Sequence, residues 1–445
     1  MVPENRPSKA SILGALSQAL DLVEGQPEGH ALRTAQIALR IADVLGLPDD
    51  EREDLYFAAV LKDSGCSNNA VRIHKIFGGD DHLIKRGVKL IDWTSPTESV
   101  KFAWRNTEAG RSLSAKLLRM ASNARPPRQI MSEVTEARCT RGAAIAQMLS
   151  FRQAVADAIF CLDEHWNGQG APTKRSGAAI PLLSRILSFA QTYDVFLATY
   201  GPDEANAMAH SRSAKWFDPD IVKAWAAVDA GFLDVLGDPL FVARQLPQLD
   251  NRAVESDLDA ICQAFAMIID AKSSFTSEHS TRVMQYSVQL GAAYGFTQAH
   301  LADLRRAALL HDIGKLGVPT GILEKPGRLD VEEYERVKLH PKFGHEILGR
   351  IPSFEYMAEI ASCHHERLDG KGYWRGLSAE HLSLDVRIVS ACDVFDALSA
   401  DRPYRDAMPL EKVWAIMDQE SGPSLDPDCV AALKSVRCAP LHAAA

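Results

Sequence analysis

No apolar run in this chain of 445 residues approaches the roughly 18 that a membrane-spanning helix requires. The amino-terminal stretch MVPENRPSKAS also lacks the basic segment followed by an apolar one that marks an export signal. The expectation from both absences is a cytoplasmic protein with no membrane contact. Cysteine is sparse and unpatterned: the eight residues, at 66, 139, 161, 262, 363, 392, 429 and 438, contain no CxxC pair. That argues against a zinc ribbon or a disulfide framework and for reduced thiols. Positive charge is in deficit. With a formal net charge of −9, broad electrostatic binding to a nucleic acid polymer is not expected. An anionic substrate would need cations placed locally, as side chains or bound metal. Low-complexity tracts are absent too, and 46% hydrophobic with 24% charged residues is the composition of a folded chain, not a disordered one.

What is present is a repeat. At this length two or three domains are expected, each able to bury a core. Residues 11–65 laid over 260–314 without a gap, 249 positions apart, match Asp21 with Asp270, His30 with His279, Arg33 with Arg282, Gly46 with Gly295 and Asp63 with Asp312. The chain reads as a tandem duplication. Further on, NGQGAP (167–172) lies under DGKGYW (369–374), and YDVF (193–196) under CDVF (392–395), which sets Asp194 opposite Asp393. Asn167 follows Asp63 by 104 positions but Asp369 follows Asp312 by only 57, so the first copy carries an insertion of about 47 residues, placed within 70–122. The expected division is residues 1–245 for the first copy, a linker at 246–256 in the polar, proline-containing stretch RQLPQLDNRAVES, and 257–445 for the second copy.

Both copies read as helical. Ile261, Phe265, Ile268 and Ile269 recur at helical spacing, as do Leu301, Leu304, Ala308 and Leu309, and strand-like alternation is scarce. Pro409 stands where a first-turn proline would open another helix and Gly422 where it would help end it. The expected fold class is all-α, a tandem pair of helical bundles.

The chemistry gathers in the second copy. Nine of the fourteen histidines lie beyond residue 252, several beside carboxylates, and CHHERLDGKGYW (363–374) places two imidazoles next to a glycine turn. Imidazole binds iron, manganese, cobalt or zinc as a neutral ligand, and one carboxylate can bridge two ions and hold them close. Neighbours on a helix point about 100° apart, so His311 and Asp312, or His364 and His365, serve a dinuclear centre only if they fan out at a helix end. The glycines let the chain turn sharply beside that centre. Cys363 and Cys392 read as small buried residues, and His74 and His82, inside the insertion, as surface residues. Glu366 stays ambiguous at this point.

HDIGKLGVP (311–319), HPKFGHEIL (340–348), HHERLDGKGY (364–373), ACDVFDALSADRPYR (391–405) and LDP (425–427), in that order and spacing, make residues 255–435 resemble the HD-GYP subgroup of the HD-domain metal-dependent phosphohydrolases. The resemblance implies a helical, metal-dependent phosphodiesterase acting on a bacterial cyclic dinucleotide, most often cyclic di-GMP, with 3′,3′-cyclic GMP-AMP as the alternative. It implies two divalent transition metal ions, iron or manganese. One would be held by His279, His311, Asp312 and Asp393, and Asp312 would bridge to a second held by His340, His364 and His365. Asp312 and Lys315 become the catalytic pair, with Lys315 at the reacting phosphate. Asp369, Gly370, Gly372, Tyr373, Arg402, Tyr404 and Arg405 become substrate contacts; the arginines would clamp a phosphate through planar donor forks. Two departures stand out. The name-giving Gly-Tyr-Pro is Gly372-Tyr373-Trp374 here, and Phe275 occupies a position where relatives with three metals carry glutamate, so two metals are expected.

The first copy keeps His30, Asp63 and Asp194, but Lys62 stands opposite His311, Arg138 opposite His340, Leu162-Asp163 opposite His364-His365 and Cys66 opposite Lys315. It reads as a degenerate, non-catalytic copy, retained for packing, dimerisation or ligand sensing. Two other readings of the whole chain remain: a cyclic-dinucleotide-binding regulator without turnover, and a different HD-type reaction such as nucleotide monophosphate release or di-iron oxygenation. A second copy of this chain, and a signalling protein docking on the Gly372-Tyr373-Trp374 loop or on the first copy, are the further partners left open.

Overall fold

The two apolar stripes are removed from water, with Ile261, Phe265, Ile268, Leu304 and Ala308 fully buried, and they lie on helices Glu255–Asp270 and Gln298–Leu310. The structure is a computed structural model that describes residues 7–108, 112–122, 127–238, 240–250, 253–274, 278–325, 327–401 and 407–438. Among these residues there is no strand, only three isolated bridges, and the fold is all-α. No helix among them is long and apolar enough to cross a membrane. The seven cysteines whose side chains are described are all free and buried.

The chain divides into two compact units, residues 7–260 with Pro319–Gly321, and Ile261–Val318 with 322–438. The change-over falls inside helix Glu255–Asp270, a few residues beyond the stretch 246–256. In the first unit, helices Lys9–Val23, His30–Leu45, Asp49–Leu61, Gln153–Phe160 and Leu182–Tyr200 pack together. Ser8 starts the first of them by accepting from Ser11 N at 3.1 Å, and Gly46, at φ +70°, ends the second in the left-handed conformation that glycine adopts without strain. Four short helices, Ala70–Phe77, Asp81–Leu90, Pro96–Asn106 and Leu113–Ser122, occupy residues 70–122. Ile73, Ile76, Phe77 and Ile84 from two of them join Ile130 and Val134 of helix Pro127–Met148 in one apolar cluster. Burying side chains of this size contributes about 1.5–3 kcal/mol each, which holds the inserted helices against the bundle. His74 and His82, inside the insertion, are half-buried; His74 Nδ1 lies 3.3 Å from Gly79 O.

The second unit repeats the bundle with helices His279–Ala293, Gln298–Leu310, His340–Leu348, Glu355–Cys363 and Leu384–Ser399, followed by Leu410–Glu420 and Pro427–Cys438. Pro409 precedes the first residue of helix Leu410–Glu420, and Gly422 (φ +97°) follows it. Close helix approach fixes two glycines identically in the two units. A Cβ on Gly314 would meet His340 O at 1.9 Å and Gly344 N at 2.6 Å, and one on Gly65 would meet Arg138 O at 2.0 Å and Gly142 N at 2.8 Å. Arg138 thus occupies the place in the first unit that His340 occupies in the second.

Candidate metal centre

The imidazoles of the second unit stand at helix ends, where carbonyls lack intrahelical partners. His311 and His364 follow the last residues of helices Gln298–Leu310 and Glu355–Cys363, and His340 comes three residues after helix Val331–Val337. Each ring turns back on the preceding turn. His311 Nδ1 lies 2.8 Å from Ala308 O, His340 Nδ1 2.7 Å from Val337 O, and His364 Nδ1 3.0 Å from Ala361 O. Nδ1 is therefore the protonated nitrogen in all three rings, and Nε2 carries a free lone pair. His279 reaches the same state differently, through Nδ1 at 2.7 Å from Asp396 Oδ2. The fanning of adjacent ligands at a helix end, expected from the sequence, is the arrangement found.

Asp312 lies at the middle, wholly buried, and its two oxygens face different rings. Oδ2 is 3.5 Å from His279 Nε2 and 3.4 Å from His311 Nε2. Oδ1 is 3.4 Å from His340 Nε2 and 3.7 Å from His364 Nε2. Asp393 approaches His279 Nε2 at 3.2 Å and His365 Nδ1 at 4.0 Å. Asp312 with His340, His364 and His365, His279 with His311 and Asp312, and His311 with His364 and Asp393 each bring their donor atoms within 4.8 Å of one another. The donor set fits divalent metal on two further grounds. His311 Nε2 and Asp312 Oδ1 are buried without a hydrogen-bond partner, and an unpaired buried polar atom is costly. His340 Nε2 and His364 Nε2 also point at each other at 3.3 Å, two lone pairs that need a cation between or beside them.

The electrostatics of the cage agree. Burial pulls the His311 and His340 rings down to about 4 and about 3, and burial together with His364 and His340 holds His365 well below the usual histidine value. These three rings are neutral at pH 7, the form in which imidazole binds a metal. Burial also works against a charged His279, yet the carboxylates of Asp312, Asp393 and Asp396 hold it well above that value. The three carboxylates around that ring call for a cation. Asp312 and Asp393 stay ionised despite burial: Lys315 and His311 keep the first well below the ordinary carboxylate range, and His279 the second.

The other residues singled out from the sequence divide. Lys315 is brought in and forms a short ion pair with Asp312 Oδ2. Tyr373 lies over His365, ring centroids 4.9 Å apart. Gly372 packs directly behind the histidine pair, since a Cβ there would meet Glu366 Cα at 2.4 Å and His365 O at 2.6 Å. Gly370, at φ +72°, makes the turn. Asp369 is engaged elsewhere: its carboxylate takes Arg367 Nε at 3.1 Å and Lys371 N at 3.0 Å, a role within the turn. Glu366, ambiguous in the sequence, accepts from the backbone N–H groups of Arg375, Gly376 and Leu377 at 2.7–3.0 Å and anchors the loop beyond the glycines. Arg402, Tyr404 and Arg405, and Phe275, lie outside the described residues.

Asp396 is the residue sequence reasoning missed. It orients His279 and is itself held by Arg282 Nε at 2.6 Å. The first unit repeats this trio with Asp194, which takes His30 Nδ1 at 2.7 Å and Arg33 Nε at 2.7 Å. Asp194 is therefore the counterpart of Asp396 and not, as YDVF over CDVF suggested, of Asp393. Keeping the 202-residue register of NGQG over DGKG would have found it, and it places Gln191 opposite Asp393. Gly170 confirms that register: a Cβ there would meet Asp163 O at 2.4 Å and Glu164 Cα at 2.6 Å, as Gly372 would meet His365 and Glu366.

With the register corrected, the first unit retains only His30 and Asp63 of the ligand set. Asp63, the counterpart of Asp312, also has both oxygens engaged, but by ammoniums. Lys62 pairs with Oδ2, and Lys89, from the inserted helix Asp81–Leu90, stands 3.5 Å from Oδ1 and 3.1 Å from Glu24 Oε2. Arg138 pairs with Asp163. Glu24, Asp63 and Cys66 also lie within metal-ligand reach of one another, but Lys89 already bridges the two carboxylates there. Burial pushes the Cys66 thiol well up, which makes it a poor ligand.

Known proteins resemble this chain in sequence and in fold. A family model described as HD domain matches residues 117–221 and 263–429. The chain is 41% identical over 439 residues to a protein of Vibrio cholerae named 3′3′-cGAMP-specific phosphodiesterase 3, covering 97% of this chain and 95% of that one. A Thermotoga maritima protein named cyclic di-GMP phosphodiesterase is 35% identical over 203 residues, 45% of this chain and 55% of the relative. Among solved structures, a cyclic GMP-AMP specific phosphodiesterase of V. cholerae superposes with a TM-score of 0.66 at 37% identity, covering 98% of this chain and 99% of that one.

Proposed function

The chain belongs to the HD domain family, in its HD-GYP subgroup of cyclic dinucleotide phosphodiesterases, and from that premise we propose that its substrate is 3′,3′-cyclic GMP-AMP, hydrolysed in the second unit. Hydrolysis of a cyclic dinucleotide is the chain's activity; the choice of dinucleotide is our reading. It rests on the relative named for that dinucleotide, which matches along nearly the whole chain, whereas the T. maritima relative named for cyclic di-GMP matches less than half of it. Cyclic di-GMP remains the competing substrate.

One observation carries the mechanism: the Asp312 carboxylate presents Oδ2 to His279 and His311 and Oδ1 to His340 and His364. A carboxylate so placed suits a bridge between two ions. We assign one to His279, His311, Asp312 and Asp393 and the other to Asp312, His340, His364 and His365, with iron or manganese favoured by a nitrogen-and-carboxylate donor set. When bound, such ions neutralise the phosphodiester and supply hydroxide from water near neutral pH. The residues do the rest. Nδ1 bonds to backbone carbonyls fix three ring orientations, those of His311, His340 and His364, before substrate arrives, and Asp396 fixes His279. Lys315, held at Asp312 and one-fifth exposed, is the cation that turns to the phosphate oxygens as charge builds on them. Tyr373, over His365, offers its ring to the sugar or base. The first unit is non-catalytic in this reading, because ammoniums flank Asp63 where imidazoles flank Asp312.

Product analysis tests it. Anaerobically purified, manganese- or iron-loaded protein is incubated separately with 3′,3′-cyclic GMP-AMP and cyclic di-GMP and the products are separated by chromatography. Faster conversion of cyclic GMP-AMP to a linear dinucleotide is expected. Preference for cyclic di-GMP would reverse the assignment of substrate, and tight metal binding with no product from either would remove the hydrolytic reading.

A further inference from the structure

A dinucleotide closed through two phosphodiesters brings two anions to the second unit, and only one of them is cut at a time. Lys315 stands at the bridging carboxylate of Asp312 and answers to the phosphate that reacts. The other phosphate needs a cation of its own, beside the metal centre and open to solvent. Lys338 meets these conditions.

Lys338 comes two residues before the ligand His340, and the bond from His340 Nδ1 to Val337 O at 2.7 Å fixes the turn between them. Its ammonium lies 5.3 Å from the centroid of the Tyr334 ring and 6.0 Å from that of Tyr373. Tyr334 is four residues earlier, so helical spacing alone accounts for the first contact. The second has no such origin. Tyr373 belongs to the loop after the histidine pair, and its ring lies 4.9 Å from that of His365 and 6.4 Å from that of His340. The ammonium is therefore one ring removed from two of the metal ligands.

The group is also accessible and weakly committed. The Lys338 side chain is 27% exposed, and those of His365 and Lys315 open to solvent to a similar degree. Glu335 Oε1 accepts from Lys338 at 2.6 Å, but that carboxylate is 60% exposed, and surface pairs of this kind contribute little. Exchanging Glu335 for a phosphate costs little, while the two rings keep the charge in place.

The first unit supplies an internal comparison. In the register fixed by Gly65 and Gly170, Tyr334, Lys338 and Tyr373 stand opposite Ser132, Glu136 and Ala171, whereas Glu335 stands opposite another glutamate, Glu133. The unit without the metal ligands lacks both rings and carries the opposite charge at the lysine position. Its acidic neighbour is retained, so pairing with Glu335 does not account for Lys338.

We propose that Lys338, held between the rings of Tyr334 and Tyr373, binds the phosphate of the cyclic dinucleotide that is not at the metals. The proposal rests on hydrolysis in the second unit, and not on which dinucleotide is cut.

Initial rates of metal-loaded full-length protein on 3′,3′-cyclic GMP-AMP and on cyclic di-GMP test it. In Lys338→Gln, KM should rise about tenfold, the loss of one charge-assisted contact, with a smaller change in kcat and with metal content and Tm unaltered. Lys338→Arg should restore most of the affinity, and Lys338→Glu should weaken it further by setting like charge against the phosphate. KM of the wild type should climb more steeply with salt than that of Lys338→Gln. A lysine that only packs on its tyrosines would lose Tm in place of affinity and would not rank arginine, glutamine and glutamate by charge. Unchanged KM in Lys338→Gln, with the wild type active, would overturn the proposal and leave the hydrolytic reading standing. No turnover of either dinucleotide by the wild type would overturn that reading, and the role of Lys338 with it.

Discussion

His340 Nε2 faces His364 Nε2 at 3.3 Å, and each ring already donates its Nδ1–H to a main-chain carbonyl. Two lone pairs held so close are stabilised only by a cation, so the second unit is built around a charge it does not itself contain. Removing that charge with a chelator should destabilise the second unit. At metal concentrations about a hundredfold above Kd, linkage contributes about 2.7 kcal/mol, and a unit of this size should lose about 5–10 °C in Tm on chelation. Differential scanning calorimetry with and without reloading checks it. Asp312→Ala should abolish metal retention and turnover together, because the bridge is gone, whereas His30→Ala in the first unit should leave both nearly intact in the folded protein. Equal loss from both changes would place the active centre in the wrong unit.

Asp396 touches no reacting group, yet its carboxylate fixes the tautomer and ring plane of His279 and is itself held by Arg282. It is a positioning residue. Asp396→Asn keeps the volume but weakens the hold on Nδ1–H, and outer carboxylates of this kind are worth about 10–100-fold in metal affinity or activity. Metal titration should show that loss, and Asp396→Glu should restore part of it. Unchanged metal affinity with merely lower Tm would reduce Asp396 to a packing role.

The same residue marks where the sequence stopped being readable. Helical stripes such as Ile261, Phe265 and Ile268 were legible because burial follows periodicity directly, and the histidine and aspartate motifs because metal chemistry restricts residue type. Asp393 and Asp396 lie three apart on one helix face, so a lone aspartate in the other copy can be set against either. Only the register of the glycine turn, or the contact with His279 Nδ1, distinguishes them, and that contact spans 117 residues of sequence. Lys62 could be read as a cation opposite His311. Lys89 could not be read, because it arrives from an inserted helix with no counterpart to align against.

Gly314 and Gly65 separate stability from chemistry. Each lies where a Cβ would collide with a main-chain carbonyl at about 2 Å, so alanine at either forces two helices apart at a cost of about 3 kcal/mol or more. Gly314→Ala displaces His340 and should reduce turnover per folded molecule along with stability. Gly65→Ala displaces Arg138, so stability should fall while turnover per folded molecule is retained. Thermal melts paired with initial rates decide it; loss of turnover in Gly65→Ala protein would tie the first unit to catalysis.

Asp21 gives the first unit a pH dependence of definite sign. Its carboxyl is buried, and burial, only partly offset by Lys62, raises its pKa from 3.8 to about 7. Oδ1 accepts from Ala31 N at 3.0 Å and Oδ2 has no partner, so the folded unit prefers the neutral acid. The folded state then binds the proton more tightly than the unfolded chain. The resulting stabilisation is full below about pH 4 and is lost as pH rises through about 7, by up to about 4 kcal/mol over that window. Asp21→Asn keeps the acceptor for Ala31 and cannot ionise, so it should be more stable than wild type at pH 8, with the advantage vanishing near pH 4. Trp93, Trp104, Trp166, Trp216 and Trp225 are in the first unit and only Trp374 and Trp414 in the second, so urea unfolding followed by tryptophan fluorescence reports mainly on the unit concerned. A wild-type curve that runs parallel to Asp21→Asn across this pH range would show that Asp21 is ionised in the fold and held by a cation instead.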